Sequence, residues 1–111
     1  WAAEAARSRA EVKLALLLMM CQEAAMPFGG QIRIANGPEG WIVVGESEKL
    51  RVDPVMWDCL RSRTIPSSLR ASQVQFGMVP RALRDVGAAL SVEIGEARIS
   101  LVARLPVHAT V

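Results

Sequence analysis

Four groups of side chains in this 111-residue chain are of types that do chemistry. His108 is the one histidine, a residue that can accept a phosphoryl group or move a proton near neutral pH. Cys21 and Cys59 could act as nucleophiles or metal ligands. Arg61, Arg63, Arg70, Arg81 and Arg84 form a run with the fork geometry that suits carboxylates and phosphates. Trp41 and Trp57 could line a binding surface.

Spacing and surroundings weaken most of these. His108 sits in a Pro-Val-His-Ala-Thr tail rather than beside an acidic residue on a helix face, so it reads as a tail residue. Cys21 falls in a run of Leu and Met and reads as a buried thiol; Cys59 on a short helix reads as packing. The two cysteines show neither metal-ligand spacing nor a disulfide framework, and no metal site is expected. Trp is buried on average, which favours core or interface edge for Trp41 and Trp57. The five Met read as core fill.

The arginine run keeps two readings open. From Cys59 to Arg84 there is no acidic residue. Residues 1–58 carry six basic and eight acidic groups, net −2, and residues 59–111 carry seven and three, net +4. The run is either a solvated face with a flexible loop, or a docking surface for an acidic partner through Arg61, Arg63 and Arg70.

Composition bounds the rest. Apolar residues make up 51% and charged residues 22%, which excludes intrinsic disorder. A net charge of +2 is too balanced for nucleic-acid binding by bulk charge. The longest apolar run, Leu14 to Cys21, is far short of the roughly 18 residues a membrane span needs. The chain opens at Trp1 without an initiator Met or signal-peptide pattern, so the expectation is one domain excised from a longer protein of the cytoplasm.

The elements that must position these residues follow from pattern. Ser8 and Glu11 fit a capping box at the start of a helix running to Met26, and Pro27 with Gly29 and Gly30 stops it. That helix is apolar nearly all round, which predicts cover on two sides. Residues 31–35 and 41–44 read as strands of a hairpin around a turn at 36–40, and residues 49–52 as a short edge strand. Asp53 and Pro54 open a short helix to about residue 61. Residues 62–71 read as loop, and Ser72 caps a second long helix that kinks at Pro80 and ends at Gly87. Strands around Leu90–Ile94 and Ile99–Ala103 close a hairpin over a two-residue turn at Gly95–Glu96, and residues 105–111 read as a frayed tail. The predicted fold is α+β: a two-layer sandwich of a mostly antiparallel mixed sheet, with helices on one face and a right-handed crossover into the last hairpin.

That order, with the stretch from Leu16 to Ile34, resembles the ATP-binding domain of sensor histidine kinases. It resembles more narrowly the C-terminal domain of ChpT-type histidine phosphotransferases of alphaproteobacteria, over residues 8–104. The resemblance implies where a nucleotide site would lie, and the residues there do not suit one. The Mg²⁺-holding Asn falls at Cys21, a soft thiol. The adenine-reading Asp falls near Gly45, with Ser47 and Lys49 where glycines belong. The phosphate loop falls on Ala71–Gln75, with Gln73 and Gln75 and no glycine. The implied function is therefore a non-catalytic, cofactor-free interaction domain of a phosphorelay protein that helps dock a response-regulator receiver. The implied partners are that receiver and an upstream histidine kinase, with homodimerisation through a helical hairpin N-terminal to this piece that carries the phospho-accepting histidine. Two other classes stay open: a nucleotide-binding enzyme with an atypical site, and an unrelated α+β interaction module.

Overall fold

A computed structural model of the chain describes residues 9–37, 40–62, 64 and 69–105. The predicted cap at Ser8, the histidine at 108 and the tail beyond residue 105 lie outside the described residues. Eight segments follow in order: α1 (Arg9–Ala24), β1 (Gln31–Gly37), β2 (Gly40–Glu46), α2 (Pro54–Ser62), a 3-10 turn (Ala71–Gln73), α3 (Val74–Val86), β3 (Ala89–Ile94) and β4 (Arg98–Arg104). The four strands form one sheet in the order β1-β2-β4-β3, every neighbouring pair antiparallel. The helices cover one face, giving the two-layer α+β sandwich that the pattern predicts.

Period explains the core. On α1, Leu14, Leu17, Leu18 and Cys21 recur at helical spacing, and with Ala25 just beyond the helix all are buried in one core with Trp41 and Val43 of β2 and Ile99, Leu101 and Ala103 of β4. On the sheet, the alternate residues Arg33, Val44, Ser100 and Glu93 face the other way in register across all four strands. Glu46 and Arg98, also paired in register, form an ion pair at 3.3 Å there. Trp41 and Trp57 are both core residues, as expected.

One polar side chain sits in that core. Gln22 is fully buried, and its Nε2 donates to the carbonyls of Val43 (3.1 Å) on β2 and Ile99 (2.9 Å) on β4. Gly45 makes room for it: a Cβ at residue 45 would collide with Gln22 Oε1.

Several expectations need correction. Residues 49–52 are not a strand; Arg51 N–H instead donates to Ala25 O at 2.8 Å, tying that stretch to the end of α1. The last hairpin turns over four residues between the paired Ile94 and Ile99, closed by Gly95 N–H to Arg98 O at 2.7 Å. The second long helix starts at Val74 after the 3-10 turn, with Gln73 rather than Ser72 in the cap position. It ends as predicted, with the Gly87 and Ala88 amides donating back to Arg84 O and Leu83 O. Among the described residues α1 packs against the sheet and against α3, and its remaining face is open: Leu16 is 51% and Met20 47% exposed. Met20 and Met78 lie at the surface, so the methionines are not all core fill.

Burial separates adjacent leucines sharply. Leu18→Ala should cost about 2–5 kcal/mol, the range for a fully buried Leu, while Leu16→Ala should stay within about 0.5 kcal/mol of the parent. Denaturant melts of the two variants check this; equal costs would mean that the orientation of α1 is different.

Candidate functional site

A concavity of about 560 Å³ lies where the C-terminal half of α1 meets the starts of α2 and α3. Met20, Glu23 and Ala24 form one wall, Arg51 and Asp53 the rim, and Trp57 and Phe76 the floor, packed edge to face at 5.6 Å and 72°. The floor is held by sequence that wants burial; the rim is polar because it is solvated.

Asp53 does two jobs at the rim. Its Oδ1 accepts from the amides of Val55 (3.0 Å) and Met56 (3.4 Å), the cap that the Asp-Pro pair predicts for α2. Its Oδ2 accepts from Gln73 Nε2 at 3.2 Å, which joins the start of α2 to the turn before α3. Gln73 is used at every polar atom of its head: Oε1 accepts from Arg70 N–H at 3.1 Å, and its own backbone amide donates to Arg70 O at 2.8 Å. Gln75 is buried beneath, its Nε2 reaching Met20 O on α1 at 3.5 Å.

The structure divides the residues that the sequence singled out. Gln73 and Gln75 line the cleft. Cys21 does not: it is fully buried in the core, and burial pushes its thiol up to about 12. Gly45 is in the interior against Gln22. Ser47 and Lys49 lie on the loop after β2, where Ser47 Oγ donates to Gly29 O at 2.8 Å and accepts from Lys49 N–H at 3.3 Å. Glu23, Arg51 and Asp53 at the cleft were not among the predicted site residues. Helix phase is the signal that could have found Glu23, since it lies off the stripe of Leu14, Leu18 and Cys21. Among the described residues no group of three His, Cys, Asp or Glu is placed to hold a metal.

Two of the three arginines singled out for docking, Arg61 and Arg70, are among the described residues. Arg61 belongs to the last turn of α2, not to a loop, and it faces Asp58 at 4.0 Å. That acid precedes the acid-free run by one residue, so Arg61 is not without a local carboxylate. Both partners are largely exposed and the pair contributes little to stability. Arg63 lies outside the described residues, and Arg70 is exposed before the 3-10 turn. Neither Arg61 nor Arg70 lines the cleft.

Comparison with known proteins adds two findings. A family model described as histidine phosphotransferase C-terminal domain matches residues 1–98. A solved structure described as a bacterial phosphotransferase at 1.7 Å matches with a TM-score of 0.67 and 22% identity, covering 85% of this chain and 48% of its own. At that identity the likeness is one of fold, and the chain spans about half the length of that structure. No curated protein matches.

The two thiols should behave differently. Cys59 is partly exposed and Cys21 is buried with a raised pKa, so iodoacetamide at pH 8 should label Cys59 and leave Cys21 unmodified in the native chain. A thiol whose folded pKa is raised stabilises the fold fully below its ordinary value of 9.0, and that contribution is lost as pH rises toward about 12. Peptide mapping after labelling checks the order of reaction; equal labelling would contradict the burial of Cys21.

Proposed function

The chain belongs to the histidine phosphotransferase C-terminal domain family, and on that premise we propose that it is the nucleotide-free interaction half of a phosphorelay protein. In this reading the domain helps hold a response-regulator receiver while a histidine elsewhere in the full protein passes the phosphoryl group on. An upstream histidine kinase loads that histidine. The protein is of the alphaproteobacterial ChpT type and works in the cytoplasm; among the described residues no helix is long and apolar enough to cross a membrane.

The observation that carries the reading is the closed latch at the cleft. In the ATP-binding fold that this chain resembles, phosphates are held by free backbone amides at a helix N-terminus. Here the amides of Arg70 and Gln73 are spent on Gln73 Oε1 and Arg70 O, and the Gln73 side chain is spent on Asp53. Mg²⁺ wants several hard oxygens. Asp53 already accepts three hydrogen bonds, which leaves Glu23 as the one carboxylate at the cleft not so engaged. These residues do not fit a Mg-nucleotide.

A second observation supports further chain beside this domain. Leu16 and Met20, one helical turn apart on α1, expose an apolar stripe that also includes Val12. We place the N-terminal helical hairpin, through which the full protein dimerises, against that stripe.

Mg-ATP titrated to millimolar concentration into the chain should give no saturable heat. In the full-length protein, phosphoryl transfer from a labelled kinase to a receiver should continue after the nucleotide is removed. A saturable isotherm with a micromolar Kd, or transfer that stops without nucleotide, would overturn the proposal.

A further inference from the structure

The turn that leads from α1 into β1 holds Phe28 out in solvent, 67% exposed, the largest exposure among the described large hydrophobic residues. Two cations share its ring. The Lys49 ammonium lies 5.8 Å and the Arg51 guanidinium 5.4 Å from the ring centroid, both within the roughly 6 Å over which a cation is attracted to an aromatic face. Among the described residues neither cation forms an ion pair. The nearby carboxylate of Glu46 is engaged by Arg98 at 3.3 Å, and Glu48 pairs with neither.

The backbone under these three residues is fastened at each point. Gly29, at φ +95°, closes the turn, and its carbonyl accepts from Ser47 Oγ at 2.8 Å. Ser47 Oγ in turn accepts from the Lys49 amide, and the Arg51 amide donates to Ala25 O at 2.8 Å. An exposed aromatic on a fastened turn loses little freedom when a partner covers it. Two un-neutralised cations beside it select for carboxylates, and an aromatic or Arg anchor of this kind is the residue type that dominates interface energies.

We propose that Phe28, Lys49 and Arg51 form one docking patch, and that its occupant is an acidic face of the receiver domain. This rests on the phosphorelay reading above and moves the expected contact away from Arg61, whose charge is already faced by Asp58. Arg51 also lines the cleft, so the patch is continuous with its rim. Phe28 anchors the contact and the two cations steer it.

The test titrates the receiver domains of the source organism against the full-length protein and its variants. Phe28→Ala should weaken the binding receiver about tenfold, mainly through faster dissociation. The double variant Lys49→Glu, Arg51→Glu should slow association about tenfold at low salt, with the difference shrinking at high salt. Arg61→Glu should change either rate by about twofold or less. All four side chains are on the surface, and matching melting temperatures confirm that the variants fold. Receiver binding that is unchanged by the Phe28 and double variants would overturn the patch and leave the relay reading standing. Absence of receiver binding to the parent would overturn both. Parent binding to phosphatidylserine–phosphatidylcholine vesicles that is lost in Phe28→Ala, with receiver binding intact, would assign the patch to a membrane surface and overturn the protein partner.

Discussion

The rest of the structure depends on where one buried amide is seated. Gln22 reaches from α1 to two strands at once, donating to Val43 O and Ile99 O. Two such bonds contribute about 0.5–1.5 kcal/mol each, but Gln22 Oε1 has no partner among the described residues, and an unsatisfied buried acceptor costs about 1–3 kcal/mol. These magnitudes nearly cancel. The seat therefore adds little net stability, and its effect is on register: rotating or sliding α1 by one residue would break both bonds with nothing in return. Apolar packing holds α1 down, and Gln22 decides which way it faces.

That choice of phase shapes the cleft. With Gln22 and Cys21 turned to the sheet, Met20, Glu23 and Ala24 are the residues that α1 offers to the concavity. Gly45 is drawn into the same contact, because any side chain there would collide with the Gln22 head. The resemblance to an ATP-binding domain puts the adenine-reading Asp near this position. On our reading, the interaction that locks the helix is also what leaves no space for that carboxylate. At the cleft, Asp53 and Gln73 bond each other, Gln73 is held in turn by the Arg70 backbone, and the starts of α2 and α3 are joined. The polar groups at the cleft rim are thus largely engaged with one another, while the Gln22 seat lies beneath in the core.

Much of the fold was legible because it follows from short-range pattern. The alternation in Leu90–Ile94 and Ile99–Ala103, the Asp53-Pro54 start and the Gly87 stop each depend on a few neighbouring residues. The features that were missed are long-range. Residues 49–52 have strand-like composition, yet among the described residues no strand pairs with the outer edge of β1, and their Arg51 amide goes to Ala25 instead. The role of Gln22 is invisible in a helix read alone, since a single Gln among leucines looks like an interruption of the apolar face. The arginine run was read for its lack of acids from Cys59 to Arg84, and Asp58, the residue just before it, lies one helical turn from Arg61. The resemblance identified the family from element order, whereas which α1 side chains reach the cleft depends on the phase of the helix against the sheet.

The seat of Gln22 against Gly45 is tested most directly by a double-mutant cycle read by denaturant unfolding. Gly45→Ala alone should destabilise the domain by about 1–3 kcal/mol, since its methyl group would meet the Gln22 head. In a Gln22→Ala background the same change should cost little, giving a coupling of at least about 1 kcal/mol. Costs that add to within about 0.5 kcal/mol would show that the two residues do not share the seat, and that some other contact sets the phase of α1.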